Sequence, residues 1–204
     1  LYGRRVSGGD ADVRVTLTHR RELRASDSAD AQRSADALML RSDEIPGGPW
    51  GTDGWKETED NFRQWVCGVD VEPEPPVDAF VARWMSADGH SVLFQNVRPV
   101  GAASAQRVVT ELGESLRTCR KDRRARDPKA EVVHTYDITP LTIESGQAVA
   151  WRQRQTSGSV SDIDVDMVYF VERDSLVTFV VFTDGPLPGP AGLDELVRAV
   201  RQKR

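Results

Sequence analysis

Residues 79–97, AFVARWMSADGHSVLFQNV, decide the fold class. Two apolar-rich runs flank Asp88-Gly89, a dipeptide that accepts the positive φ angles of a tight β-turn. Folding the chain at that turn sets Trp84 opposite Leu93 and Phe80 opposite Val97. The protein is therefore expected to be built on antiparallel pairing.

Working outward, Arg98-Pro99-Val100-Gly101 breaks the strand pattern and a helix is expected from near Ser104. Ala105, Val108, Val109, Leu112, Leu116 and Cys119 recur three and four apart on its apolar face. The basic run Arg120 to Arg126 falls between regular elements and reads as a solvated loop. Val132, His134, Tyr136 and Ile138 alternate as a strand, and residues 147–156, 162–171 and 176–183 give three more joined by short loops. The proline-rich stretch 184–190 ends the sheet. A last helix follows with Leu193, Leu196, Val197 and Val200 on one face. Asp194 and Glu195 open it and Arg198, Arg201 and Lys203 close it, as the helix dipole favours.

Toward the N-terminus, Glu72-Pro73-Glu74-Pro75-Pro76 is unsuited to a sheet centre and marks a connection. A strand is expected around residues 55–62. Ser42 is expected to cap one helical turn that Pro46-Gly47-Gly48 ends. The expected fold class is α+β, a single domain of residues 38–204, with an antiparallel β-sheet of five to seven strands packed with two main helices. Residues 1–37 read as a charged arm or tether. Val13, Val15 and Leu17 alternate like a short edge strand, but RRELRASDSADAQRSAD shows no periodicity.

Among 204 residues, 39% are apolar and 29% charged, the balance of a soluble domain. No run of eighteen apolar residues occurs, so no membrane-spanning helix is expected. A net charge of −5 argues against a nucleic-acid partner, which needs a basic surface. The chain begins at Leu1 rather than Met, so a missing N-terminus is expected to have carried a signal or anchor, the only expected link to a membrane.

Asp162, Asp164 and Asp166 are the first candidates for chemistry. A hairpin centred on Ser159 sets Arg154 opposite Asp164, Arg152 opposite Asp166 and Thr156 opposite Asp162, all on one face of the sheet. The other face then carries Trp151, Ile163, Val165, Met167 and Tyr169. Cross-strand opposite charges of this kind stabilise a hairpin. A calcium loop would need Gly where Met167 stands, and Ile163 and Val165 favour a strand. The aspartates therefore read as a structural ion-pair ladder of Arg152, Arg154, Asp164 and Asp166. No metal ligand, catalytic residue or cofactor is expected. His19, His90 and His134 are scattered, and no nucleophile elbow, P-loop or dinucleotide fingerprint occurs. Five tryptophans are many for this length, and Trp50 and Trp55 flank the Gly/Pro-rich loop. One exposed at a cleft rim would make a ligand-binding face.

Cys67 and Cys119 have no zinc or CxxC spacing. They are either two buried thiols or one disulfide. A bridge closing about 53 residues would be worth about 4 kcal/mol in the chain-entropy model.

The ordered patterns ALMLRSDEIPGG, Trp65-Val66-Cys67, ARWMSADGHSVLFQNV, AASAQRVV, Cys119 and VDMVYFVERDSLVTFVVF resemble the PknH-like extracellular sensor domain family. The resemblance covers roughly residues 37–202. That family forms the outer domains of receptor Ser/Thr kinases and also occurs as lipoproteins. The resemblance implies export, an α+β sandwich with a cleft, and a disulfide rather than free thiols. Members often carry two bridges, whereas this chain can make only Cys67–Cys119. A non-enzymatic extracytoplasmic sensor of a cell-envelope small molecule or protein is the function implied. The same patterns are similar to exported lipoproteins of Mog1/PsbP-like α/β/α fold, which makes an interaction or assembly subunit the second expectation.

Overall fold

The computed structural model describes residues 6–7, 12–15, 25–48, 50–59, 65–71, 79–125, 133–156, 164–183 and 185–203. Its strands are β1 (Val6–Ser7), β2 (Asp12–Val15), β3 (Trp50–Glu59), β4 (Trp65–Val66), β5 (Val69–Asp70), β6 (Ala79–Ser86) and β7 (Ser91–Pro99), then β8 (Lys121–Ala125), β9 (Val133–Leu141), β10 (Ala148–Gln155), β11 (Asp164–Glu172) and β12 (Ser175–Thr183). The helices are α1 (Ala25–Leu38), α2 (Ala102–Leu116) and α3 (Gly189–Arg201), with a 3-10 turn at Ser42–Glu44.

The main sheet has the order β1-β2-β8-β9-β10-β11-β12-β7-β6-β3. The eight strands from β8 to β3 pair antiparallel throughout, and β2 joins β8 in parallel. The β6–β7 hairpin has the expected register, with Phe80 opposite Val97 and Trp84 opposite Leu93. Gly89 turns it at φ +76°, a conformation most other residues adopt only under strain.

Alternation along the strands gives the sheet two apolar faces, and each is covered. Phe80, Trp84, Leu93, Phe170, Phe179 and Val181 meet the C-terminal half of α1 and the inner face of α3. Trp151, Met167, Tyr169, Leu176 and Val180 meet α2 and the β4–β5 hairpin. Cys67 and Cys119 form a disulfide that ties this hairpin to the end of α2. The hairpin turns through Cys67 at φ +51° and Gly68 at φ +84°. Cys67 is held there on both sides: its N–H donates to Asp122 Oδ2 at 3.0 Å, and its carbonyl accepts from Ser115 Oγ at 2.6 Å. The result is a three-layer sandwich with helices on both sides of the sheet.

Several sequence expectations are corrected. The antiparallel sheet exceeds five to seven strands because the basic run forms β8, which is paired between β2 and β9 and whose Lys121 Nζ lies 3.9 Å from Asp137 Oδ1. Lys121 stands opposite Asp137 across this pairing, and Lys121 and Arg123 are exposed, so solvated side chains suit a strand here. The boundary at residue 37 falls inside α1, a third helix. Ala31, Ala35 and Leu38, spaced at i, i+4 and i+7, face the core, and Ala35 and Leu38 are fully buried. The 3-10 turn has Arg41, not Ser42, at its N-cap, and Glu44 Oε2 accepts from the Arg41 N–H at 2.8 Å. Asp162, Ile163, the turn at Ser159 and the proline connection at 72–76 lie outside the described residues.

The segment leaving α1 is fixed by one side chain. Gln95 is fully buried on β7; its Oε1 accepts from the Leu40 N–H, and its Nε2 donates to the Leu38 carbonyl, both at 2.9 Å. Replacing Gln95 by Leu would strand both backbone groups in the core. Gln95→Leu is therefore expected to cost about 2–4 kcal/mol despite its added apolar surface. Urea denaturation of the variant against the native chain measures this.

Candidate functional site

Two rows of side chains cross the α1/α3 face of the sheet near one end. The inner row runs Trp84, Leu93, Val181, Asp166, Arg152 and Thr139, each opposite the next in register. It changes from apolar to charged at Asp166. The outer row contains Ser91 opposite Thr183 and, further along, Asp164, Arg154, Asp137 and Lys121 in alternating sign. The sheet end is thus apolar under β6, β7 and β12 and ionic from β11 to β8.

At the ionic end, both arginines grip carboxylates through paired hydrogen bonds. Arg152 Nε and Nη2 donate to Asp166 at 2.8 and 3.0 Å. Arg154 Nε and Nη2 donate to Asp164 at 2.7 and 2.6 Å. The Arg154 bond holds the Asp164 carboxyl below the usual carboxylate range. Asp166 is fully buried and also accepts from the Gly189 N–H at 2.9 Å, fixing the start of α3 to β11. Each carboxylate thus commits both of its oxygens to an arginine, and Asp166 Oδ2 serves the Gly189 N–H as well.

At the apolar end lies a cleft of about 220 Å³. Buried Leu93, Val181 and Leu196 form its floor. Pro46, Gly47 and half-buried Trp50 stand on one side, with Pro186, Pro188, Gly192 and Glu195 on the other. Gly192 sets the second wall. A Cβ there would come within 2.5 Å of Pro188 Cβ, so a glycine inside the helix is what lets the proline pack against it.

The polar groups around the cleft are largely satisfied by one another. Trp50 Nε1 donates to the Pro46 carbonyl at 3.1 Å. Ser91 Oγ and the Gly185 N–H both donate to Thr183 Oγ1 at 2.9 Å. Pro46, Pro186 and Pro188 have no N–H to offer. Glu195 is exposed and has no hydrogen-bond or ion-pair partner among the described residues.

The remaining sequence candidates sit elsewhere. Trp84 and Trp151 are core residues, and the side chains of Trp55 and Trp65 lie outside the described set, as does His19. His90 is in the β6–β7 turn, and His134 Nδ1 lies 3.0 Å from Gln155 Nε2. The cysteines are bonded to each other, which removes a thiol nucleophile. Among the described residues no three His, Cys, Asp or Glu side chains gather as a metal site. No helix there is long and apolar enough to cross a membrane.

Asp194 differs from its expected place. Since α3 begins at Gly189, Asp194 lies beyond its first turn. It is buried, and its carboxylate accepts the backbone N–H groups of Glu144 and Ser145 at 2.8 Å each. Burial pushes its pKa up, but the Ser145 hydroxyl, these two backbone bonds and the Arg198 charge together outweigh it and leave the carboxyl below the ordinary range. A depressed folded-state pKa contributes stability above the unfolded value, and that contribution is lost as pH falls through the folded value. Asp194→Asn is therefore expected to weaken the protein at pH 7 and to flatten its loss of stability below about pH 4. Urea midpoints for both chains across that range provide the check.

No family model matches the chain, and no curated protein matches it.

Proposed function

We propose that this chain is a non-enzymatic, extracytoplasmic sensor or ligand-binding domain, carried by a membrane-anchored lipoprotein or receptor. The cleft between Trp50 and the start of α3 is the observation that carries this reading. It combines an apolar floor, an aromatic wall and a shape set by prolines, while the nearby carboxylates Asp164 and Asp166 are held by arginines. Such a site binds by shape and apolar contact. The Cys67–Cys119 disulfide is compatible with an oxidising compartment. A cell-envelope small molecule or a protein segment is the partner class, with no nucleic acid.

Native and denaturing mass spectrometry of protein exported by its own host tests the reading. The denatured chain should be lighter by the two hydrogens of a disulfide. The native chain should carry an added mass that is lost on unfolding and reduced in Trp50→Leu. A bare native monomer for both chains would overturn it.

One observation favours a second reading, an exported interaction or assembly subunit. Met85 and Phe182 are each 36% exposed, and by strand alternation they share the sheet face that α2 covers elsewhere. Self-association that rises with concentration and disappears in Met85→Ser/Phe182→Ser would favour that reading.

A further inference from the structure

We infer that the cleft takes an aliphatic ammonium: a primary amine on a short apolar chain, either free or as a lysyl side chain. This rests on the cleft being the binding site and adds the chemistry of its occupant.

Three features converge on that class. The first is charge. Among the described residues, Glu195 is the only charged side chain lining the cleft, and it has no partner there. None of the described lining residues is a lysine or arginine, so a carboxylate or phosphate would meet the like charge of Glu195.

The second is the polarity of the hydrogen bonding. A ligand rich in hydroxyls needs several free donors and acceptors at fixed positions. Here the Trp50 indole, the Ser91 hydroxyl and the Gly185 amide have already spent their donors inside the protein, which leaves the Thr183 O–H as the one side-chain donor among the described lining residues. Three prolines supply none. A ligand that brings its own donors to a site with a free acceptor is favoured, and an ammonium carries three.

The third is size and wall chemistry. About 220 Å³ is below the range of pockets that enclose drug-sized molecules, and suits a single side-chain-sized group. An alkyl chain can rest on Leu93, Val181 and Leu196, and the lining includes Trp50, the side chain whose ring attracts cations most strongly.

The test is isothermal titration calorimetry with four probes: hexylamine, the chain-matched hexanamide and hexanoate, and a lysine blocked at both its amino and carboxyl ends. Hexylamine should bind about tenfold more tightly than hexanamide, the combined contribution of an exposed ion pair and a cation–ring contact. Hexanoate should be the weakest of the four. Glu195→Gln, an exposed change on a helix, should abolish the preference for hexylamine while retaining hexanamide binding. If the blocked lysine matches hexylamine, the natural source is a peptide side chain; if it fails while hexylamine binds, the source is a free amine. Either result supports the ammonium class. Hexanamide or hexanoate binding as tightly as hexylamine would overturn the inference and leave the cleft as the binding site. Failure of all four to bind would overturn the inference and remove the support for the cleft as well.

Discussion

Replacing both Cys67 and Cys119 by serine should lower the melting temperature by about 8–16 °C. The bridge spans a sequence separation of 52 residues, so its removal frees a long loop in the unfolded chain. In the chain-entropy model that is worth about 4 kcal/mol, a large share of the 5–15 kcal/mol that holds a typical domain together. The damage should also be local. The bridge joins β4–β5 to the end of α2, on the sheet face opposite α1 and α3. Hydrogen exchange should show lost protection at Val66, Val69 and Asp70, with Leu93, Val181 and Leu196 still protected. A change of less than about 2 °C, or exchange loosened equally on both faces, would show that the bridge is not the brace for this layer.

The second large effect is expected at Arg152. Asp166 is 0% exposed in its side chain and Arg152 is 36%, so the two ends of this pair are not equivalent. Arg152→Ala leaves a buried carboxylate with only the Gly189 N–H for company, and should cost about 3–5 kcal/mol. Arg154→Ala removes the same kind of bond one row outward. There the arginine is 55% exposed and Asp164 24%, water replaces much of what is lost, and the cost should stay near 1 kcal/mol or below. Equal costs for the two variants in urea denaturation would mean that burial does not distinguish the pairs. Because Asp166 also anchors the first residue of α3, Arg152→Ala should weaken ligand binding by loosening the Pro188 wall, whereas Arg154→Ala should not.

What could be read from the sequence was whatever periodicity and turn chemistry encode. Asp88-Gly89 fixed the β6–β7 register to the residue, because a turn centred on that dipeptide pairs Trp84 with Leu93 and Phe80 with Val97. Opposite charges two residues apart located Arg152 with Asp166 and Arg154 with Asp164. The missed elements lack those signals. In α1 the inward positions are mostly alanine, so its stripe is too weakly hydrophobic to stand out. In β8 the side chains are mostly charged, those of residues 121–123 are exposed or half-buried, and the pairing is carried by backbone bonds that composition does not report. Asp194 looked like a helix-opening residue because α3 starts earlier, at Gly189, behind a run of prolines. The cleft was least visible of all. It is assembled from residues near 46–50, 91–93, 181–188 and 192–196, and only their meeting in space makes it. Trp50 stood beside the Gly/Pro-rich loop, as did Trp55, and nothing local chose between them.

The most direct measurement is a nitrogen–proton NMR titration of the whole chain with hexylamine and then with hexanamide, read residue by residue. The expected result is a set of shifts confined to Gly47, the Trp50 indole, Leu93, Gly192, Glu195 and Leu196, with the Trp84 and Trp151 indoles unmoved. Shifts centred on Met85 and Phe182, or none near Trp50 with either probe, would contradict the assignment of the cleft as the binding site.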